Sequence, residues 1–120
     1  IKSWLVLWNL AQAHKKAFKT IKKIKKSAQI GIANNVQSYH AYHKHSLTEQ
    51  IGVLLGDLTT NHMFYKLTTN THDFLGLNYY FHHRVRKHKR FFPGIEEISD
   101  LHLDVSDLGW EIYPEGLFDI

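Results

Sequence analysis

Residues 73–80 read Asp-Phe-Leu-Gly-Leu-Asn-Tyr-Tyr. This apolar, aromatic-rich run predicts a strand over Phe74–Tyr80, led in by the turn-prone Asn70-Thr71-His72-Asp73. Near-continuous apolarity, rather than alternation, suits a strand covered on both faces, as in parallel sheets. A second such run lies upstream, Gln29–Val36, with Ile30-Gly31-Ile32-Ala33 followed by Asn34-Asn35. Between the two, Leu47, Ile51, Leu54, Leu55, Leu58, His62 and Tyr65 recur at helical spacing and predict a helix over 47–67, weakened by Gly52 and Gly56. Two buried strands joined by a helical crossover make a βαβ unit, whose strands run parallel.

Outward from that unit, residues 3–26 read as one long helix. Trp4, Leu7, Trp8, Ala11, His14, Phe18, Ile21 and Ile24 form an apolar stripe, with Lys15, Lys19, Lys22 and Lys26 on the other side. His14 on the stripe reads as a hydrogen-bonded core histidine. Downstream, residues 81–109 show no regular pattern beyond a short strand pair anticipated near Arg84–Phe92, and irregular stretches of that length are usually functional or disordered. A third helix is expected to start at Pro114, which suits a first helical position.

The chain has 120 residues, 43% of them hydrophobic, which marks globular material. A two-stranded parallel sheet cannot bury its own faces and edges, so the pattern calls for more strands than these residues supply. The chain also opens inside one helical pattern and closes two turns into another. Residues 1–120 are therefore expected to be an internal fragment of a single larger domain. The net charge of +4 is local, because seven of the fifteen Lys and Arg residues lie between Lys15 and Lys26. That run reads as a solvated helix face rather than a nucleic-acid or membrane contact. With no Cys there is no disulfide or thiolate metal site, and a reducing, cytoplasmic setting is expected. No apolar run approaches the ~20 residues of a membrane span.

Where chemistry could sit follows from the parallel strands. In α/β barrels the active site lies at their C-terminal ends, which singles out Asn34 and Asn35 after the first strand and Asn78 and Tyr80 at the end of the second. Asn34 and Asn35 are better read as capping the sheet; for Asn78 and Tyr80 capping and pocket-lining stand level. Trp110 on spacing alone reads as a core or lid aromatic. His40, His43 and His45 lie close together in a predicted loop, as do His82, His83 and His88, but without a ligand pattern matching a zinc site. No metal and no cofactor are expected.

The run DFLGLNYY at 73–80 resembles the sixth-strand motif of glycoside hydrolase family 1, the β-glucosidase and β-galactosidase family. LGWEIYPEGLFDI at 108–120 resembles the segment entering that family's sixth helix. NLAQAHKKAF at 9–18 is similar to its fourth helix and QIGIANN at 29–35 to its fifth strand, and Asn61 and Phe64 also fit. The resemblance implies a partial (β/α)8 TIM barrel, covering roughly helix 4 to the start of helix 6, and a carbohydrate partner, a β-glycoside. The family's mechanism is retaining: one carboxylic acid protonates the leaving oxygen and a carboxylate roughly 5 Å away attacks the anomeric carbon. The family contexts for these, Asn-Glu-Pro and Glu-Asn-Gly, do not occur here, so no catalytic residue is expected within the 120 residues, which alone should be inactive. Glu111 and Glu115 read as structural helix-entry residues.

What carries over is the pocket. Tyr80 matches the family tyrosine that bonds the nucleophile, Asn78 an asparagine near the sugar and the acid/base residue, and Trp110 the stacking platform for the leaving group. Tyr79 is expected to pack inward or against neighbouring strands. The sequence departs from the family at Phe81-His82-His83 and in the basic loop of Arg84, Arg86, Lys87, His88, Lys89 and Arg90. The competing readings are a small basic nucleic-acid-binding module and a non-catalytic barrel relic.

Overall fold

The computed structural model describes residues 2–87, 94–95 and 103–120. Its elements are α1 (Lys2–Ile24), β1 (Gly31–Ala41), α2 (Leu47–Asp57), α3 (Met63–Leu67), β2 (Phe74–Arg86), β3 (Gly94–Ile95) and α4 (Gly116–Asp119). β1 and β2 pair in parallel along their whole length, from Gly31 opposite Phe74 to Ala41 opposite Val85. The predicted βαβ unit is therefore present. β3 adds antiparallel to the far end of β2, at Val85 and Arg86, close to where a short strand pair was anticipated; residues 88–92 of that expectation lie outside the described residues.

Both strands run further than their apolar cores. β1 continues through Ala41 instead of stopping at Val36, and β2 through Arg86 instead of Tyr80. Gln37–Ala41 and Phe81–Val85 are each other's ladder partners. Cross-strand pairing thus keeps polar, His-rich tails extended, which residue preference alone does not foresee. His40 accordingly lies in a strand rather than a loop. Phe74, Leu75 and Leu77 are each about half exposed, so these residues alone do not cover the parallel pair, as the sequence pattern led us to expect.

The helix predicted over 47–67 is a continuous path, but α2 passes into α3 through a π-helical turn, Leu58–His62. Such turns insert one residue into a helix and often mark functional places. Here the turn carries Asn61, which is buried, toward β1. Its side-chain amide accepts from the Gln37 N–H at 2.9 Å and donates to the Gln37 carbonyl at 2.8 Å. The start of α2 is fixed by Ser46, whose hydroxyl accepts from the Glu49 N–H at 3.4 Å. After α3 the chain turns through Asn70, which has a left-handed φ of 63°, a conformation asparagine tolerates.

α1 packs on the α3 end of the crossover. Ala11 is fully buried, and His14 Nε2 lies 2.6 Å from the Thr71 carbonyl oxygen, edge-on to the buried Phe64 ring. Lys22 corrects the reading of a wholly solvated lysine face. Its ammonium reaches Asp73 at 2.7 Å and the Ala28 carbonyl at 2.8 Å, tying α1 to the start of β2. The third helix begins at Gly116, just after Pro114 rather than at it. Among the described residues no helix is long and apolar enough to cross a membrane.

Candidate functional site

β2 carries an irregularity at the place the sequence marked. Val36 is opposite Tyr79 and Gln37 opposite Phe81, so Tyr80 is an extra residue with no partner across the ladder. A bulge of this kind breaks the alternation of side chains and re-aims one of them. Tyr80 and Phe81, neighbours in the chain, both meet the Trp110 ring, at centroid separations of 5.8 and 4.9 Å. Tyr80 and Trp110 remain partly open, at 49% and 38% exposure. The structure therefore brings Tyr80 and Trp110 together. Asn78 stands two residues before Tyr80, exposed, opposite the exposed Asn35 and outside this ring cluster. Asn34 and Asn35 lie inside β1 rather than capping its end, and Asn34 donates to the Thr60 carbonyl at 3.3 Å.

Trp110 is mounted on a tight hairpin. Ile112 N–H donates to the Asp104 carbonyl at 2.9 Å and Ser106 N–H to the Trp110 carbonyl at 2.8 Å, with Val105 opposite Glu111. The reversal passes through Gly109 at φ 76°, a conformation that a side chain would strain. The segment following Trp110 lies along the polar tail of β2. Glu111 accepts two parallel bonds from the Arg84 guanidinium, both at 2.7 Å, and lies 3.2 Å from His82 Nδ1. Tyr113 stacks on His82 with centroids 3.9 Å apart and planes 15° apart. Tyr79 donates its hydroxyl to the Tyr113 carbonyl at 2.8 Å. Tyr79 thus packs against this segment as well as the neighbouring strand. A methyl group at Gly116 would run into the Tyr79 hydroxyl and Ser38 Cβ, which is why the chain enters α4 on a glycine.

The electrostatics follow from these contacts. The Arg84 guanidinium beside Glu111 holds its carboxyl below the usual range. Burial pushes the His82 imidazole down, although Glu111 works against it. Burial, with the carboxylates of Asp119, Glu111 and Glu115 and the Tyr113 phenol nearby, pushes the Tyr79 phenol up to about 12. His82 Nε2 lies 2.9 Å from His40 Nδ1, whose other nitrogen is 3.6 Å from Asp119. Across the strand ends, buried Glu49 accepts from the backbone N–H of His43 at 2.6 Å and of Lys87 at 3.0 Å. Burial alone would raise its carboxyl, but bonds from the His43 side chain and the two backbone N–H groups outweigh that and hold it at about 2.

Phe81 and His82 were seen only as departures, Arg84 as a basic-loop residue at the edge of an anticipated strand pair, and Glu111 only as helix entry; the structure makes all four part of the Trp110 mounting. A period-2 signal, His82, Arg84 and Arg86 alternating with His83 and Val85, hinted at the longer strand. Among the described residues no group of three or more His, Asp or Glu is arranged to hold a metal ion. A shallow cleft of about 200 Å³ between α1 and the π turn, lined by Ser3, Trp4, Leu7, Thr59 and Met63, has no titratable side chain and lies off the strand ends. His88, Lys89, Arg90, Glu96 and Glu97 lie outside the described residues.

No family model matches the chain. By sequence it is similar to a β-galactosidase of Sulfolobus acidocaldarius, 28% identical over 140 residues that take in 98% of this chain and 28% of the galactosidase. By fold it is similar to a family 1 β-glucosidase from Thermotoga maritima, with a TM-score of 0.71 at 23% identity. It is also similar to a β-glucosidase from Exiguobacterium marinum, with a TM-score of 0.74 at 18% identity. Both fold comparisons cover 93% of this chain and 31% and 32% of the glucosidases. The chain thus spans under a third of the length of the relatives it matches. The sequence likeness to a β-galactosidase and the fold likeness to β-glucosidases both run over nearly all of this chain, and the fold is that of a small α/β unit with the architecture of part of those larger proteins.

Proposed function

We propose that residues 1–120 are an internal part of the (β/α)8 catalytic domain of a retaining β-glycosidase, running from about the fourth helix to the start of the sixth. Asn78, Tyr80 and Trp110 line its sugar site, and both reacting carboxylates belong to other parts of a longer polypeptide. The observation that carries this reading is the meeting of Tyr80, displaced from the ladder by a bulge, with Trp110. It occurs at a break midway along two parallel strands, where their apolar halves give way to polar tails, and barrels of this class do their chemistry beyond the C-terminal ends of such strands. The half-exposed Phe74, Leu75 and Leu77 of β2 and Trp4, Leu5 and Trp8 of α1 add support. So many exposed large apolar side chains call for cover, which the remaining strands and helices of a barrel would provide.

The chemistry asked of these residues is modest. The Tyr80 phenol donates a hydrogen bond to the nucleophile carboxylate, orienting it and favouring its charged form. The Trp110 indole offers a flat apolar face to the C–H side of a leaving group. Asn78 bonds sugar hydroxyls. In the full polypeptide, Tyr80→Phe is expected to lower kcat on an aryl β-glucoside by on the order of 10- to 100-fold, the loss of one hydrogen bond to a charged group of about 1.5–3 kcal/mol. An unchanged kcat in a folded variant removes Tyr80 from the site.

A further inference from the structure

The rings that touch Trp110 do not by themselves fix its tilt. Tyr80 and Phe81 meet it at interplanar angles of 61° and 57°, and edge or tilted aromatic contacts of this kind contribute only about 0.5–1.5 kcal/mol over a broad range of geometries. The next residue in the chain is held much more strictly. Glu111 sits in a two-pronged bond with Arg84, both contacts at 2.7 Å, and the pair is partly withdrawn from water, with side-chain exposures of 23% and 14%. A planar guanidinium facing a carboxylate fixes distance and plane together. Neighbouring residues of an extended segment project to opposite sides. Anchoring Glu111 on one side of the hairpin therefore sets the side from which Trp110 emerges. The hairpin bonds between 104 and 112 make the unit stiff, so that the anchor moves the indole with it. His82, its side chain almost fully buried, braces the same carboxylate at 3.2 Å and the ring of Tyr113 from its face.

We propose that Arg84 is a positioning residue for Trp110. By clamping Glu111 it fixes the orientation of the indole, and it thereby governs how tightly the leaving-group portion of a β-glycoside is held. The positioning rests on the geometry alone; the consequence for leaving groups rests on the function proposed above.

The two parts are tested separately in the full polypeptide that carries these residues. The protein is labelled with 5-fluorotryptophan, and the Trp110 resonance is assigned by its loss in Trp110→Phe. In Arg84→Ala and in Glu111→Gln this resonance shifts or broadens. In Arg84→Lys, which keeps the charge but not the two-pronged geometry, it is only partly restored. A Trp110 resonance unmoved in the folded variants, or fully restored by lysine, overturns the positioning role. Arg84→Lys and Glu111→Gln carry the test if Arg84→Ala does not fold. Kinetics supply the second arm. Arg84→Ala raises KM about tenfold for an aryl β-glucoside, with kcat and the KM for a methyl β-glucoside changed much less. Equal effects on both substrates overturn the leaving-group part while a shifted resonance upholds the positioning. A wild-type polypeptide that hydrolyses no β-glycoside overturns the leaving-group part together with the proposed function, and the fluorine spectrum still decides the positioning.

Discussion

Where β1 and β2 begin, Gly31 faces Phe74, Ile32 faces Leu75 and Ala33 faces Gly76. Where they finish, Ser38 faces His82, Tyr39 faces His83 and His40 faces Arg84. The starting end is apolar, with polar ties at Asp73, which binds Lys22 at 2.7 Å and the Ile30 N–H at 2.8 Å, and at the Gly76 carbonyl, which accepts from the Tyr65 hydroxyl at 3.0 Å. The finishing end is a mesh of side chains that pull the following segments back onto the sheet: Glu49 on His43 and Lys87, Glu111 on Arg84 and His82, Tyr113 on His82 and Tyr79. Backbone pairing and apolar contact hold the first; charge and hydrogen bonding shape the second. A parallel sheet places its ligands at the finishing end, and polar groups there can serve only if loops and side chains are held firmly around them.

The sharpest way to break this contrast is at Asn61, which bonds both backbone groups of Gln37 beside the bulge. Asn61→Ala is expected to cost about 3 kcal/mol in urea unfolding, since it leaves the part-buried N–H and carbonyl of Gln37 unpaired, at about 1–3 kcal/mol each. Amide hydrogen exchange should rise over Gln37–Ala41 far more than over Gly31–Ala33. Equal acceleration at both ends would erase the distinction. A smaller loss, about 2 kcal/mol, is expected from Gly116→Ala, which crowds the Tyr79 hydroxyl and Ser38. Near-wild-type stability in that variant would mean that the segment entering α4 is not held against the strands.

The smallest effect expected is on pH dependence. Glu49 has a carboxyl held at about 2 against an ordinary 4.5. Its folded value is depressed, so the stability it contributes is complete above about 4.5 and is lost as the pH falls toward 2. Glu111, lowered by Arg84, acts in the same direction. Wild-type stability should therefore fall more steeply between pH 4.5 and 2 than that of Glu49→Gln, measured by urea midpoints across that window. Parallel profiles would show that Glu49 does not tie the two strand exits as described.

The legible and illegible parts of the molecule divide along the same line as its two ends. The starting half of each strand was plain in the sequence because near-continuous apolarity is a local property, as is the helical spacing from Leu47 to Tyr65. The finishing half was not. Gln37–Ala41 and Phe81–Val85 look like loop by composition and become strand because each is the other's partner. The capping pattern Ser46-x-x-Glu49 could have been read as a helix start, but nothing in it says that the glutamate reaches His43 and Lys87 instead of its own first turn.

By itself the order of residues determined the parallel βαβ unit and named Asn78, Tyr80 and Trp110 as candidates, since periodicity and motif resemblance lie within short windows. The tertiary structure decided that Tyr80 bulges out of its ladder, that Trp110 arrives beside it, and that Arg84 holds Glu111 from 27 positions away. Those outcomes depend on register and long-range charge pairing, and neither exists until strands that are distant in sequence lie side by side.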